Sequence, residues 1–226
     1  MQSILEQYSF FKNSNKTRQN QILSKSTLVH IPCGTDVFTR NSISSHMLLI
    51  GSGNIRVFSL SPVGREISLY HVSHGDTCPI NILSGLLKRP ASAFARADSA
   101  ITAVTIPADY IRWCVKEDEA IRNFAFSAMA DHLDDVIDLV ERVTFCTLEQ
   151  RLASFLCCRI DNGNRTNPAV LSLTHDQIAA ELGSAREVIS RHLRELERKG
   201  GVSLGRGHIK VNDVNLLKNI YKINQH

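Results

Sequence analysis

The chain has 226 residues, of which 43% are hydrophobic and 21% charged, a composition that excludes an intrinsically disordered chain and suits one large or two modest globular domains. Its net charge of +4 is unevenly placed: residues 1–145 balance at 14 basic against 14 acidic, while residues 146–226 carry 12 basic against 8 acidic. No apolar run approaches a membrane span, Met1–Asn13 shows no signal pattern, and the six cysteines have neither CxxC nor zinc-ligand spacing, so a reducing cytoplasm is expected.

Residues Met1 to Ser26 read as one or two short helices. From Leu28 the pattern changes to short strands broken by Gly, Pro, Ser and Asp: LVHIP, CGTDVFT, HMLLIGSG, NIRVFSL, EISLYHV, AFARA and AITAVTIP. Ser61-Pro62-Val63-Gly64 between two alternating runs is a hairpin signal, and closely spaced strands with regular turns predict a sandwich or barrel-like roll.

Near Pro107 the pattern turns helical and is expected to stay so to about Val143. Within that stretch Phe126, Met129, Leu133, Val136, Val140 and Val143 recur at alternating spacings of 3 and 4, with Asp131, Asp134, Asp135 and Asp138 off the stripe. A stripe this narrow suits a two-stranded dimer seam better than a helix packed on its own domain. Thr147 then caps a new helix, LEQRLASFLCCRI, and a loop, DNGNRTNP, leads to a short strand, VLSL.

The most specific stretch follows. Thr174 with Gln177, and Ser184 with Glu187, fit the capping-box spacing, and Leu182-Gly183 lies between them, which predicts a helix, a tight turn and a second helix. The second helix presents Arg186, Glu187, Ser190 and Arg191 on one side. Arginine can donate two parallel bonds to guanine O6 and N7, and a carboxylate can accept from cytosine N4. The plain alternative is a surface helix with charge pairs. The preceding helix, the glycine turn and the basic flank of Arg194, Arg198 and Lys199 decide for double-stranded DNA. Beyond it, GVSLGRGHIKV reads as a hairpin wing with Arg206 and His208 at its tip, where His208 is either a phosphate contact or a solvated loop residue. A last helix, NLLKNIYKI, closes the domain. No nucleophile elbow, Gly-rich phosphate loop or metal-ligand cluster is present in the sequence, so an enzyme is not expected.

The order of a roll, a long helix and a winged helix-turn-helix resembles the Crp–Fnr superfamily of bacterial transcription regulators across nearly the whole chain. The resemblance is carried by Ile31-Pro32-Cys33-Gly34 with Val37-Phe38, Leu49-Ile50-Gly51-Ser52-Gly53, Pro62-Val63-Gly64-Arg65-Glu66, His74-Gly75-Asp76 and SAREVISRHLRELERKGGV. It implies an α+β fold with a double-stranded, jelly-roll-like β-helix as sensor domain over residues 1–112. A dimerisation helix at 113–144 and a winged helix-turn-helix at 145–226 follow. It also implies a homodimer on an inverted repeat, an RNA polymerase partner and a signal received in the roll. The base readers fall on Arg186, Glu187, Ser190 and Arg191, implying half-sites with a TGA core, and Thr174, Ser184 and Arg206 fall where phosphate is usually touched.

What the resemblance implies about the effector is mostly negative. Cyclic-AMP binders hold the phosphate with Gly-Glu and Arg-Ser pairs. Here the first matches Gly75-Asp76, but the second matches Ala91-Ser92, without the guanidinium. The adenine-reading hydroxyls match Val136 and Ile137, which donate nothing, so cyclic AMP is not expected. No cysteine precedes Cys33, which argues against an iron–sulfur cluster. The cofactor is left unknown. Cys78 could ligate a haem, serve as a redox-sensing thiol, or be a small buried hydrophobe. Asn81 and Ser92 could line an effector pocket with Gly75, Asp76 and Cys78, or cap short helices. A vestigial pocket with constitutive DNA binding is the remaining alternative.

Overall fold

The computed structural model describes residues 1–62, 64, 66–163 and 169–222. Three short helices open it: α1 (Gln2–Leu5), α2 (Ser9–Lys12) and α3 (Lys16–Lys25), the last capped by the Asn15 side chain, which accepts from the Arg18 amide. Seven strands follow, all in the stretches expected from the sequence: β1 (Thr27–Ile31), β2 (Asp36–Phe38), β3 (His46–Ser52), β4 (Ile55–Leu60), β5 (Glu66–Val72), β6 (Phe94–Ala97) and β7 (Ile101–Pro107). They form two antiparallel sheets, ordered β1-β7-β3 and β2-β6-β4-β5, with helix α4 (Pro79–Leu87) inserted before β6. Strand β7 is buried on both faces: Ile101 and Ala103 pack into one core and Val104 and Ile106 into the other, as the two-residue period of a pleated strand allows. Val63 and Arg65, in the hairpin and in the Pro62–Glu66 segment, lie outside the described residues.

The helical region is interrupted. Helix α5 (Ala108–Glu117) ends at Asp118, which is extended at φ −126° and ψ 116°, and α6 (Glu119–Phe145) begins there. The expected uninterrupted helix from near Pro107 to about Val143 is therefore corrected to two helices. The cause is local: the Asp118 carboxylate accepts from the amides of Ala120 and Ile121, capping the start of α6, and pairs with Arg18 at 3.0 Å. The charged run Lys116–Glu119 is equally compatible with helix, and so hides a cap.

After α6 come α7 (Leu148–Gly163), β8 (Ala169–Leu171), α8 (His175–Glu181), α9 (Arg186–Arg198), β9 (Val202–Gly205), β10 (His208–Val211) and α10 (Val214–Lys222). Strands β8, β10 and β9 form one antiparallel sheet in that order. Contacts divide the chain into two compact units, Met1–Leu60 with Ser68–Val136, and Ser61–Ile67 with Ile137–His226. The first holds cores around Tyr8, Phe10, Leu49 and Ile106, and around Ile50, Val57, Ala95 and Ile101. The second is built on Leu152, Leu156, Ile178, Ile189, Leu193, Leu196, Ile209 and Leu217. Each unit thus has its own apolar interior.

Candidate nucleic-acid interface

The second unit positions α9 through a tight turn. Thr174 and Gln177 form the expected capping box: the Thr174 hydroxyl accepts from the Gln177 amide, and the Gln177 side chain accepts from the Thr174 amide at 2.8 Å. At the other end of α8 the Ser184 amide donates to Ala179 O at 2.9 Å, and Gly183 sits at φ +61°. This is a Schellman closure, and the left-handed position is one a side chain would strain. It also corrects the second expected capping box. With Ser184 spent on closing α8, one further extended residue is needed before α9, so Ala185 takes the cap position and no side chain caps the helix.

Helix α9 is strongly two-faced. Ile189, Leu193 and Leu196 are fully buried in the unit's core, while Arg186, Glu187 and Arg191 are exposed and Ser190 is half-buried. The four predicted base readers therefore share the outer side. The Arg186 guanidinium lies 3.3 Å from the Asp176 carboxylate, and Ser190 Oγ lies 2.7 Å from His175 Nδ1. Two adjacent residues at the start of α8 thus each engage one predicted base reader on α9. Neither contact was anticipated, because side-chain pairing between two helices leaves no periodic trace in a sequence. Thr174 is exposed and Ser184 half-buried, at the two ends of α8. Arg206 and Gly207 are the two-residue tip of the β9–β10 hairpin, and exposed His208 opens β10. Lys199 is tied to Glu149 at 2.7 Å, which fixes the end of α9 to α7.

In the first unit the five candidate effector residues are not brought together. Gly75 and Asp76 line a cavity of about 330 Å³ with Tyr70, Asp131, His132 and Asp135 among its walls. The Asp76 carboxylate is turned back on the Ser73 amide and hydroxyl at 3.3 and 3.0 Å, so it holds the turn at Gly75 (φ +83°). Cys78 is buried beside Tyr70, with Sγ 3.5 Å from the phenol oxygen, and does not line this cavity. Burial pushes the Cys78 thiol up, against smaller opposing hydrogen bonds. Asn81 is buried with both ends of its amide engaged, accepting from the Leu48 amide at 3.0 Å and donating to His46 O at 3.1 Å. Ser92 is exposed, just before β6.

The six residues expected to form a dimer seam all lie on α6. Phe126, Leu133, Val136, Val140 and Val143 are 41 to 64% exposed, and Ile137 and Phe145 add to the apolar surface. Met129 differs: it is partly buried against the first unit's core.

Two family models match the chain, a cyclic nucleotide-binding domain over residues 28–118 and a Crp-like helix-turn-helix domain over residues 150–220. A "Cyclic AMP receptor protein" of Thermus thermophilus is 27% identical over 189 residues, 84% of this chain and 85% of that one. A "CRP-like cAMP-activated global transcriptional regulator" of Mycobacterium tuberculosis is 21% identical, covering 94% and 96%. Among solved structures, a transcriptional regulator assigned to the crp/fnr family from Eubacterium rectale is similar with a TM-score of 0.88 and 28% identity, over 96% of this chain and 99% of that one.

Proposed function

This chain belongs to the Crp–Fnr family of DNA-binding transcription regulators, and we propose that it acts as a homodimer on an inverted repeat with TGA-containing half-sites. The observation that carries the reading is α9, a helix anchored from behind by three buried residues and presenting Arg186, Glu187, Ser190 and Arg191 outward. In this reading Arg186 and Arg191 donate to guanine, Glu187 accepts from cytosine, and Thr174, Ser184, Arg206 and His208 contact phosphate.

Dimerisation is supported by the apolar stripe on the 27-residue α6, where five of six seam residues stand exposed. A stripe of this length and spacing is what a second copy of the helix would cover. Two recognition helices held by one dimer can then meet successive major grooves, one helical turn apart.

The signal is read in the first unit, around the cavity beside Tyr70 and His132. Cyclic AMP is a poor occupant. The cavity is lined by three aspartates and by no Lys or Arg among the described residues, which opposes the charge of a cyclic phosphate. Haem ligated through Cys78 does not fit either, because that thiol faces Tyr70 and does not line the cavity. RNA polymerase is the partner through which a bound dimer would act. The test is a titration of a fluorescent TGA palindrome against random duplex. A preference of at least a hundredfold for the palindrome supports sequence reading by α9, and equal affinity removes it.

A further inference from the structure

A single side-chain contact joins His175, at the start of α8, to Ser190 on the recognition helix α9. We propose that His175 is the positioning residue for base reading by Ser190: its Nδ1 decides whether the serine hydroxyl faces DNA as a hydrogen-bond acceptor or as a donor. The inference rests on Ser190 facing a base edge, as proposed above.

A serine hydroxyl has one proton to donate and lone pairs to accept with, and nothing in its own side chain fixes which is turned toward a ligand. Here Oγ lies 2.7 Å from Nδ1 across the α8–α9 turn, so one of its hydrogen bonds is already committed within the protein. With Nδ1 unprotonated, the hydroxyl must spend its proton on the imidazole, and only lone pairs remain for DNA. The serine then favours bases with an amino group in the major groove, adenine N6 or cytosine N4. With Nδ1 protonated the imidazole donates, the hydroxyl proton is released, and the preference turns to thymine O4 or guanine O6.

The surroundings say which charge state of the ring rules at neutral pH. The imidazole is faced by Arg186 and Arg194 from α9 and by Asp176 on its own helix. Partial burial, then the two guanidiniums, lower its pKa from the ordinary histidine value, and Asp176 offsets part of this. A doubly protonated ring is therefore confined to acidic pH, and the acceptor form of Ser190 follows for the Nε2–H tautomer. Turn geometry makes the pairing durable: His175 is the first residue of α8, whose start is fixed by the Thr174–Gln177 capping box, and Ser190 neighbours fully buried Ile189.

The test uses the whole chain and a set of duplexes carrying every single base-pair change in an inverted repeat selected by the protein. Ser190→Ala identifies the base pair under the serine as the one whose preference changes. His175→Ala should alter that same pair by about two- to tenfold, the size of one hydrogen bond, and leave the others as they were. It should add nothing in the Ser190→Ala background. His175→Asn, which offers a carboxamide but no titrating ring, should keep a preference there and lose its dependence on pH between 5 and 8. In DNA-free protein, the imidazole nitrogen resonances of His175 should move on Ser190→Ala, a readout independent of DNA binding. The inference is overturned if His175→Ala weakens all duplexes equally, or if Ser190→Ala moves a base pair that His175→Ala does not. If Ser190→Ala moves no base pair, the base-reading role of Ser190 is itself wrong and the inference goes with it.

Discussion

The Asp176 carboxylate lies 3.3 Å from the Arg186 guanidinium, so the first of the proposed base readers on α9 is already paired in the DNA-free protein. Both side chains are nearly two-thirds exposed. A pair in that setting is worth about 0.2–1 kcal/mol and is screened by salt. Asp176→Asn should therefore raise affinity for the specific site by about 1.5- to 5-fold at low salt, by freeing Arg186 and removing a negative charge near phosphate. The gain should shrink by 0.3 M salt. Anisotropy titrations at several salt concentrations measure it, and a loss of affinity would show that Asp176 aims Arg186 in the complex.

Arg191 stands exposed on the outer side of α9. Replacing it with Ala should cost about 1–3 kcal/mol on the specific site and relax discrimination at one base pair. An equal loss on random DNA would assign it to phosphate instead.

On α6, Val136 is 41% exposed within the seam. Val136→Glu should place like charges face to face across the two-stranded contact and convert dimer to monomer at micromolar concentration. Light scattering after gel filtration reads the mass, and an unchanged dimer would move the interface off this stripe.

Acid should loosen the fold through two histidines. The pKa of His132, lowered by burial with Asp135 opposing, and that of His175 both lie below the unfolded value. The unfolded chain then binds these protons first. Their contribution to stability is present above the ordinary histidine range and is lost as pH falls through the two depressed values. Thermal midpoints should drop on acidification below about pH 6.5, where an unfolded histidine begins to charge. His132→Gln should flatten part of that slope. His132 also packs edge-on against Tyr70, at 4.6 Å between ring centroids, so the variant separates titration from packing by its midpoint at pH 8.

Cysteine chemistry should follow exposure. Cys33 and Cys158 are exposed, whereas Cys78 and Cys114 are buried with thiols pushed up by burial. Iodoacetamide followed by peptide mapping should label Cys33 and Cys158 well before Cys78. Rapid labelling of Cys78 would reopen its reading as a sensing thiol.

Much of this molecule was legible in its sequence because the signals are local. All seven strands of the roll lie in short runs broken by Gly, Pro, Ser and Asp, and the α8–α9 turn is written by Thr174, Gln177 and Gly183. The two corrections come from competing local choices. Asp118 sits in a charged run that reads as helix yet acts as a cap. Ser184 has the spacing of a capping box, but its amide is needed to close the preceding helix. The effector residues were less legible for a different reason. Asp76, Cys78 and Asn81 are close in sequence, but they turn to three separate partners: the Asp76 carboxylate to Ser73, the Cys78 thiol to Tyr70 and the Asn81 amide to strand β3. The pairing of His175 with Ser190 spans 15 positions and depends on how two helices cross.

If α9 reads sequence as one of a pair, selection of bound duplexes from a random pool by the intact chain should enrich an inverted repeat with TGA in each half-site, the halves about one helical turn apart. Enrichment of a single unrepeated half-site would contradict the dimer, and a pool bound without enrichment would contradict base reading by α9.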